Sequence, residues 1–542
     1  MNKTIKADVD GYNTEFFGTF KSFGKDGSVK RVIPGERAEL LSVMRINGKE
    51  LWELKKVIRK SPARQEVICP YFLRCGGCSL LHIQIEEQKR LKTEYVKRAL
   101  SKIKGVSINP IITLNTEKCR NKVHFAFTYD DDRVRVGFFD EFTHGVIPVK
   151  KCPMHNEWFE YLAESLEAWA TKTAIPVYEP KSGRGILRFA VARFIGDSLQ
   201  LTIVINKNVD LHIEELSKSL STQFSHVSLY SNVNPMKNSV VFTKNFHHLF
   251  GDEKIYGNIC GIEFSLFPSD FLQVNTEVAE KIYRDICDKI KESDAETVID
   301  AYSGIGITGM LFSMAGKKVV SIEIAESSAE DARLTAKNNG IENYEVIVGD
   351  FADAIKKIDA DKALFFVDPP RQGLGREVCD AMSAFHPNTI IYLSCNVQSL
   401  AQDLRYFAKN DYHVSSVTPY DMFPNTKHVE TLVVLSKKSV SHINIDVEFG
   451  EGEGQISLKQ IKERAEERKP KKKVTYKDIQ NYIEENYGFK VHTAYIAEVK
   501  RDLGLPMYDA PNAVQELKRP RSHPTAEMVE AIKDALKHFG II

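Results

Sequence analysis

Between residues 297 and 437 the chain repeats one pattern, short and almost wholly apolar runs separated by stretches of helical periodicity. The runs are TVIDAY, KVVSIE, YEVIVGD, ALFFVDPP and IIYLSC, closed by ETLVVLSK. A strand without polar alternation is buried on both faces, and connecting helices are what cover them. The pattern predicts a parallel sheet with helices on each side, entered through the amphipathic helix TEVAEKIYRDICDKIKE. Open sheets of this kind build their sites where the strands end. The residues that close these runs are therefore the first candidates for chemistry.

Other domains must accompany that sheet, because 542 residues exceed what one hydrophobic core holds. Residues 1–60 carry alternating runs (GTFKSF, RAELLSVMRI, WELKKVIR) between Gly and Pro turns, which predicts a small all-β barrel. Residues 61–250 open on CPYFLRCGGCSLLH and pass through a basic amphipathic helix, QIEEQKRLKTEYVKRALSKI. The runs HFAFTYD, RVRVGFFD, LRFAVARF and LQLTIVINK then predict a central, mostly antiparallel α+β region with one face exposed. The parallel-sheet domain takes residues 251–438. Residues 439–542 begin as a charged linker, to about Lys473, and end in helical runs around a PRSHP turn, a module of helix-turn-helix type. The fold class expected is multidomain α/β.

Composition narrows the setting. With 43% hydrophobic and 27% charged residues the chain has the balance of a soluble globular protein. No stretch is apolar enough to span a bilayer, and the opening MNKTIKADVDGYNTEFF lacks the run of a signal peptide, so a cytoplasmic location is expected. Nine cysteines is an odd number, and in a reducing compartment it favours metal ligation or catalysis over disulfides. A net charge of +1 gives no global field for nucleic acid. Local basic stretches exist, VKRVIPGERAELLSVMRINGKELWELKKVIRK and ERAEERKPKKK, although either also reads as a solvated surface.

The strand ends carry three features. DAYSGIGITG places Gly304, Gly306 and Gly309 in GxGxxG register between a strand and a helix, and Glu323 closes the next strand. That combination suits NAD and S-adenosylmethionine (SAM) equally, and a ligand-free turn is the third reading. FFVDPPRQGLG puts Asp368 at the end of the fourth run, followed by two prolines that supply no N–H. Such an acceptor-rich turn suits recognition of a planar base better than hydride transfer. IIYLSCNVQSL ends the fifth run with Cys395, where Asn396 opens a polar loop. A cysteine there is either a core residue or a nucleophile, and the polar loop favours the nucleophile.

Together these motifs resemble the SAM-dependent RNA uracil-C5 methyltransferases, and most closely the iron–sulfur branch that modifies 23S ribosomal RNA. The matching stretches, in family order, are CPYFLRCGGC, FLQVN, DAYSGIG, FFVDPPRQGL, LSCN and HVETLVVL. The first 60 residues resemble, more weakly, the OB-like RNA-binding TRAM domain. The resemblance implies that Gln273, Tyr302, Glu323 and Asp368 line the SAM site, that Cys395 is the nucleophile and that Glu430 is the general base. Enterobacterial relatives carry Asn where this chain has Ile307, which puts a cofactor contact there in doubt. In the implied chemistry a thiolate adds to carbon 6 of uracil, carbon 5 takes the methyl group, and a carboxylate removes the proton from carbon 5. The target base must be flipped out of its stack to be reached. Arg371 is expected to orient phosphate or base, and His428 to be structural.

The resemblance also gives Cys69, Cys75 and Cys78 a fourth partner, Cys152 of KKCP. Their spacing is unlike the paired hairpins of zinc ribbons, and all-thiolate ligation suits zinc or a four-iron cluster. With the resemblance, a [4Fe-4S] cluster is preferred, in a structural role, because neither step of the chemistry needs an electron. The partner expected is RNA, 23S rRNA first. No protein partner is implied, and a monomer is expected. Three alternatives remain: the same chemistry on the T loop of tRNA, a non-catalytic RNA-binding or assembly factor, and an NAD oxidoreductase. The intact Cys395 and Glu430 oppose the second, and the DPPR and LSCN stretches the third.

Overall fold

The computed structural model describes residues 3–22, 25–46, 49–131, 133–141, 143, 145–358, 360, 362–437, 475–505 and 523–542. The chain divides into two compact units, Met1–Val440 and Ser441–Ile542. The larger unit holds a seven-stranded sheet whose strands, numbered along the chain, are Thr297–Ala301, Lys318–Glu323, Tyr344–Val348, Ala363–Val367, Thr389–Ser394, Tyr412–Tyr420 and Glu430–Lys437. In space they run three, two, one, four, five, seven, six. The first five pair in parallel, as expected. The seventh lies antiparallel between the fifth and the sixth, which departs from the all-parallel expectation. A short return from the sixth strand leaves no room for the crossover that a parallel pair needs.

Helices cover both faces of this sheet. Thr276–Glu292 buries Val278, Ile282, Tyr283, Ile286 and Ile290 along one stripe, and Asn275 caps it by accepting the Val278 N–H at 3.4 Å. Ile85–Leu100 lies against the other face with Val397–Lys409, through Val96 and Leu100 on one and Leu400 and Leu404 on the other. The basic helix of the sequence is therefore partly core. Its Lys92 is fully buried, with Nζ 2.5 Å from Asp421 Oδ1 and 3.1 Å from the Phe423 carbonyl.

The first strands form a six-stranded sheet, bulged at three places along Arg37–Ile46 and Lys49–Arg59 and packed around Phe20, Val29, Val32, Leu40 and Trp52. The barrel expected for residues 1–60 is not closed among the described residues. The edge strands Thr4–Asp8 and Gly11–Tyr12 do not pair with each other, and Gly11–Tyr12, two residues long, reaches only Gly18–Ser22. Closure depends on edge pairing, which alternation within each strand does not encode.

The central region is a second seven-stranded sheet, antiparallel except where Ser198–Ile205 pairs with His226–Val233. The expected exposed face is absent at Ser198–Ile205, which is buried at every position. Gln200 Nε2 on this strand donates to the carbonyl of Leu266 at 2.9 Å, in the separate hairpin Ile255–Ile259 and Ile262–Leu266.

The smaller unit packs helices Tyr476–Tyr487, Thr493–Asp502 and Ala526–His538 around Ile479, Ile483, Ile496, Val499 and Ile532. Thr475 and Asp478 cap the first reciprocally, and Gly488 (φ 76°) ends it. The charged linker and the start of the PRSHP turn lie outside the described residues. No helix among the described residues is long and apolar enough to cross a membrane.

Candidate active site

Strand register assembles the site. Ser394 at the end of the fifth strand pairs with Thr431 of the seventh. Cys395 follows the one and Glu430 precedes the other, so thiol-bearing and carboxyl-bearing residues stand opposite each other at one edge. Val367 pairs with both Ala301 and Tyr392, which sets Asp368 between the first and fifth strands at that same edge.

The cluster is electrostatically tight. Burial pushes the Cys395 thiol up to about 11; Glu430 and Asp368 add to the rise, and Arg371 opposes it. Glu430, 2% exposed, is held well above the usual carboxylate range by burial first and Asp368 second, again against Arg371. Burial lifts Asp368 to about 7. It does the same to Asp300, despite the Thr308 and Ser321 hydroxyls that donate to Oδ2 at 3.0 and 3.2 Å. Glu430 Oε1 and Asp300 Oδ1 are buried with no hydrogen-bond partner among the described residues. Buried oxygens without a partner call for an explanation, and at a strand-end cluster of titratable groups a ligand or water contact is one.

The glycine loop fits a nucleoside ligand. Gly304 (φ 56°) has open space where a Cβ would stand, whereas a Cβ on Gly306 (φ 79°) would meet Tyr344 Oη at 2.1 Å. One glycine thus leaves room on the outside and the other permits packing within. The Gly304 N–H donates to Glu323 Oε2 at 2.8 Å, so the loop and the acid meet as their spacing suggested. Tyr302 adopts φ 63° and stacks on Phe351, with ring centroids 6.0 Å apart. Ile307 opens the helix Ile307–Met314 and is buried in the apolar core, so it has no polar role at the loop. Gln273 arrives from the loop before Thr276–Glu292, where its carbonyl accepts from Asn121 Nδ2 at 3.0 Å.

Beside this edge lies a groove of about 650 Å³, lined by Lys30, Arg120, Lys122, Arg371, Lys427 and His428 with Phe17, Phe138 and Phe423; Glu141 and Glu15 line it too and pair with Lys30 and Lys427. Basic and aromatic side chains together suit phosphate and unstacked bases. The basic residues come from distant segments and not from one charged run. Cations outside the groove are paired as well: Arg64, just after the first sheet, grips the fully buried Glu36 at 2.5 and 2.7 Å, and Lys55 within it meets Glu39 at 2.8 Å. His428 packs edge-on to Phe423, and burial, then Arg371, pushes it down to about 4, leaving it neutral.

Cys69, Cys75, Cys78 and Cys152 line one cavity of about 290 Å³. None of the nine cysteines is joined in a disulfide. Burial pushes Cys78 up to about 12 and Cys152 to about 11, with Arg120 opposing. Among the described residues no group of three or more His, Cys, Asp or Glu side chains is placed to hold a metal, so the four cysteines share a cavity without being drawn together as ligands. The cavity and the groove share Gly76, Gly77, Arg120, Phe138 and His155 as a common wall.

The model of the tRNA (Uracil-5-)-methyltransferase family matches residues 84–438, more than half of the chain. The chain belongs to this family. Among relatives, an uncharacterised RNA methyltransferase of Clostridium tetani is 32% identical over 447 residues, covering 80% of this chain and 96% of the relative. One from Halalkalibacterium halodurans is 30% identical over 450 residues, covering 81% and 98%. The crystal structure of the Pyrococcus abyssi tRNA (uracil-54, C5)-methyltransferase with S-adenosyl-L-homocysteine is 26% identical, covers 79% of this chain and 99% of its own, and superposes with a TM-score of 0.65. The protein is thus a SAM-dependent RNA methyltransferase of the uracil-5 family, which removes the NAD and non-catalytic readings. The match ends before the C-terminal unit. Two residues around the site escaped the sequence reading, Arg120 between the two cavities and Asp403 behind the DPPRQGLG loop. The only sequence signal for Asp403 is an acidic residue on an otherwise apolar helix face after LSCN.

Proposed function

We propose that this enzyme forms 5-methyluridine in 23S ribosomal RNA by covalent catalysis, with Cys395 as nucleophile and Glu430 as general base. The observation that carries the reading is Cys395 opposite a buried carboxyl with an unpartnered oxygen, beside a basic groove. SAM supplies an electrophilic methyl group when bound, held by Gln273, Tyr302, Glu323 and Asp368. As a thiolate, Cys395 bonds to carbon 6, and the ring's double-bond electrons move toward the carbonyl at carbon 4. Carbon 5 takes the methyl group as the methyl–sulfur bond of SAM breaks, which would leave S-adenosyl-L-homocysteine; Glu430 then takes the proton from carbon 5, and the returning electron pair expels the Cys395 sulfur. Asp368, lifted to about 7, holds the ring by a hydrogen bond, and Arg371 supplies the nearby positive charge that draws the thiol toward its ionised form.

The four thiols would hold a [4Fe-4S] cluster. What supports the reading is the resemblance of the cysteine motif and the one cavity that all four thiols line. We place the enzyme in the cytoplasm, as a monomer. The T loop of tRNA is the second reading, favoured by the substrate named for the Pyrococcus enzyme. Mapping 5-methyluridine in cells with and without the gene decides between them: loss from 23S rRNA supports the proposal, loss from tRNA the second reading. No loss from either, with no methylation of uridine-containing RNA by the purified enzyme, removes both.

A further inference from the structure

We infer that Asp403 is a positioning residue: its carboxylate clamps the loop of residues 369–375 so that Asp368 and Arg371 keep their places beside Cys395. The inference rests on the proposed role of Cys395. Asp403 lies on Val397–Lys409 and is 2% exposed. Its Oδ2 accepts the Leu374 N–H at 2.8 Å and the Tyr392 hydroxyl at 2.8 Å, while Oδ1 accepts the Gly375 N–H at 3.2 Å. Hydrogen bonds to an ionised acceptor are roughly twice as strong as neutral ones. Two of these donors belong to the loop that begins at Asp368; the third stands in the fifth strand, three residues before Cys395. One carboxylate therefore fixes the loop relative to the strand that delivers the thiol.

The loop is shaped for this grip. Gly373 (φ 81°) passes so close that a Cβ there would stand 2.5 Å from Asp403 Oδ2. The same helix holds the loop a second time, because the Arg371 carbonyl accepts from Asn396 Nδ2 at 2.9 Å and from Ser399 Oγ at 3.1 Å. Arg371 itself is exposed, so its position is set by its backbone and not by packing around its side chain.

Asp403→Asn keeps the shape but turns one acceptor into a donor that faces an N–H. Amide exchange in residues 371–376 should accelerate at least about tenfold, and SAM affinity, to which Asp368 contributes in the proposed function, should fall by much less than kcat does. The kcat for uridine methylation should fall about 100-fold, with the KM for RNA little changed, the size expected for a catalytic group displaced by about 1 Å. Tyr392→Phe removes one donor and should give a smaller loss of the same kind, and it carries the test if Asp403→Asn is insoluble. Unchanged loop exchange, or a kcat loss matched by an equal loss of SAM affinity, overturns the inference, since the carboxylate would then serve only stability. A wild-type enzyme inactive on uridine would sink the proposed function instead, while loop exchange still reads the clamp.

Discussion

Cys395 must lose a proton before it can attack, and in the free enzyme its surroundings resist that loss. With the thiol at about 11, only about one molecule in a thousand is a thiolate at pH 8, against roughly one in four for an unperturbed cysteine. A more basic thiolate is also a better nucleophile, with a Brønsted slope of about 0.4–0.5, which recovers about tenfold. Alkylation of Cys395 by iodoacetamide at pH 8 should therefore be about twentyfold slower than that of a free thiol. Its rate should climb about tenfold per pH unit from 7 to 10 without a plateau. Two substitutions then move it in opposite directions. Arg371→Gln removes the opposing cation, raises the thiol further and slows labelling. Glu430→Gln removes a neighbour that, where ionised, holds the thiol up, and so lowers the thiol and speeds labelling. A tenfold change in the acidity of the thiol should change the rate about three- to fourfold at fixed pH, once nucleophilicity is included. Timed labelling, digestion and mass spectrometry of the Cys395 peptide measure this, with the buried Cys379 as an internal reference. A plateau below pH 9, or both variants moving the rate the same way, would show that access and not charge controls the thiol.

Three further outcomes are expected. Glu430→Gln should add and methylate but stall before elimination, giving a SAM-dependent protein–RNA band on denaturing gels that disappears when Cys395→Ala is combined with it. Protein purified anaerobically should contain iron and sulfide with little zinc, and Cys152→Ser should cut soluble yield; stoichiometric zinc without iron would overturn the cluster assignment. Asp421→Asn leaves Lys92 charged and unpaired where both side chains are fully buried, and should cost about 3–5 kcal/mol in denaturant unfolding, whereas Lys92→Met with Asp421→Leu should recover most of it.

The parallel sheet is legible because four of its first five strands are covered on both faces; the edge strand Tyr344–Val348 buries only Val346 and is carried by its place in the repeat. Thr297–Ala301 and Ala363–Val367 are buried throughout. Tyr412–Tyr420 was missed. It is an edge strand with exposed positions at His413 and Ser415 and a proline near its end, so neither unbroken apolarity nor clean alternation marks it. The central sheet misled for a related reason. Alternation describes what one sheet face needs, and the separate hairpin at residues 255–266 meets the second face of Ser198–Ile205 through Gln200.

The candidate site divides along the same line. Groups read from the sequence, Cys395, Glu430, Asp368 and Glu323, sit at strand ends, where position along the chain fixes position at the sheet edge. Groups that act through another residue carry no such mark, because their partners are far away in the chain. Asp403 meets Leu374 across 29 residues, and Lys92 meets Asp421 across 329. A lysine on a helix as basic as Ile85–Leu100 reads as solvated, and only a carboxylate brought up by the methyltransferase sheet makes it core. That pairing ties the helix after the cysteine run to the segment joining the sixth and seventh strands, the segment that carries His428 and leads into Glu430. The Asp421→Asn variant therefore tests more than stability. If this tie also steadies the approach to Glu430, methylation should fall by more than the loss of folded protein explains, with SAM affinity preserved; a fall equal to that loss would confine Lys92 and Asp421 to the core.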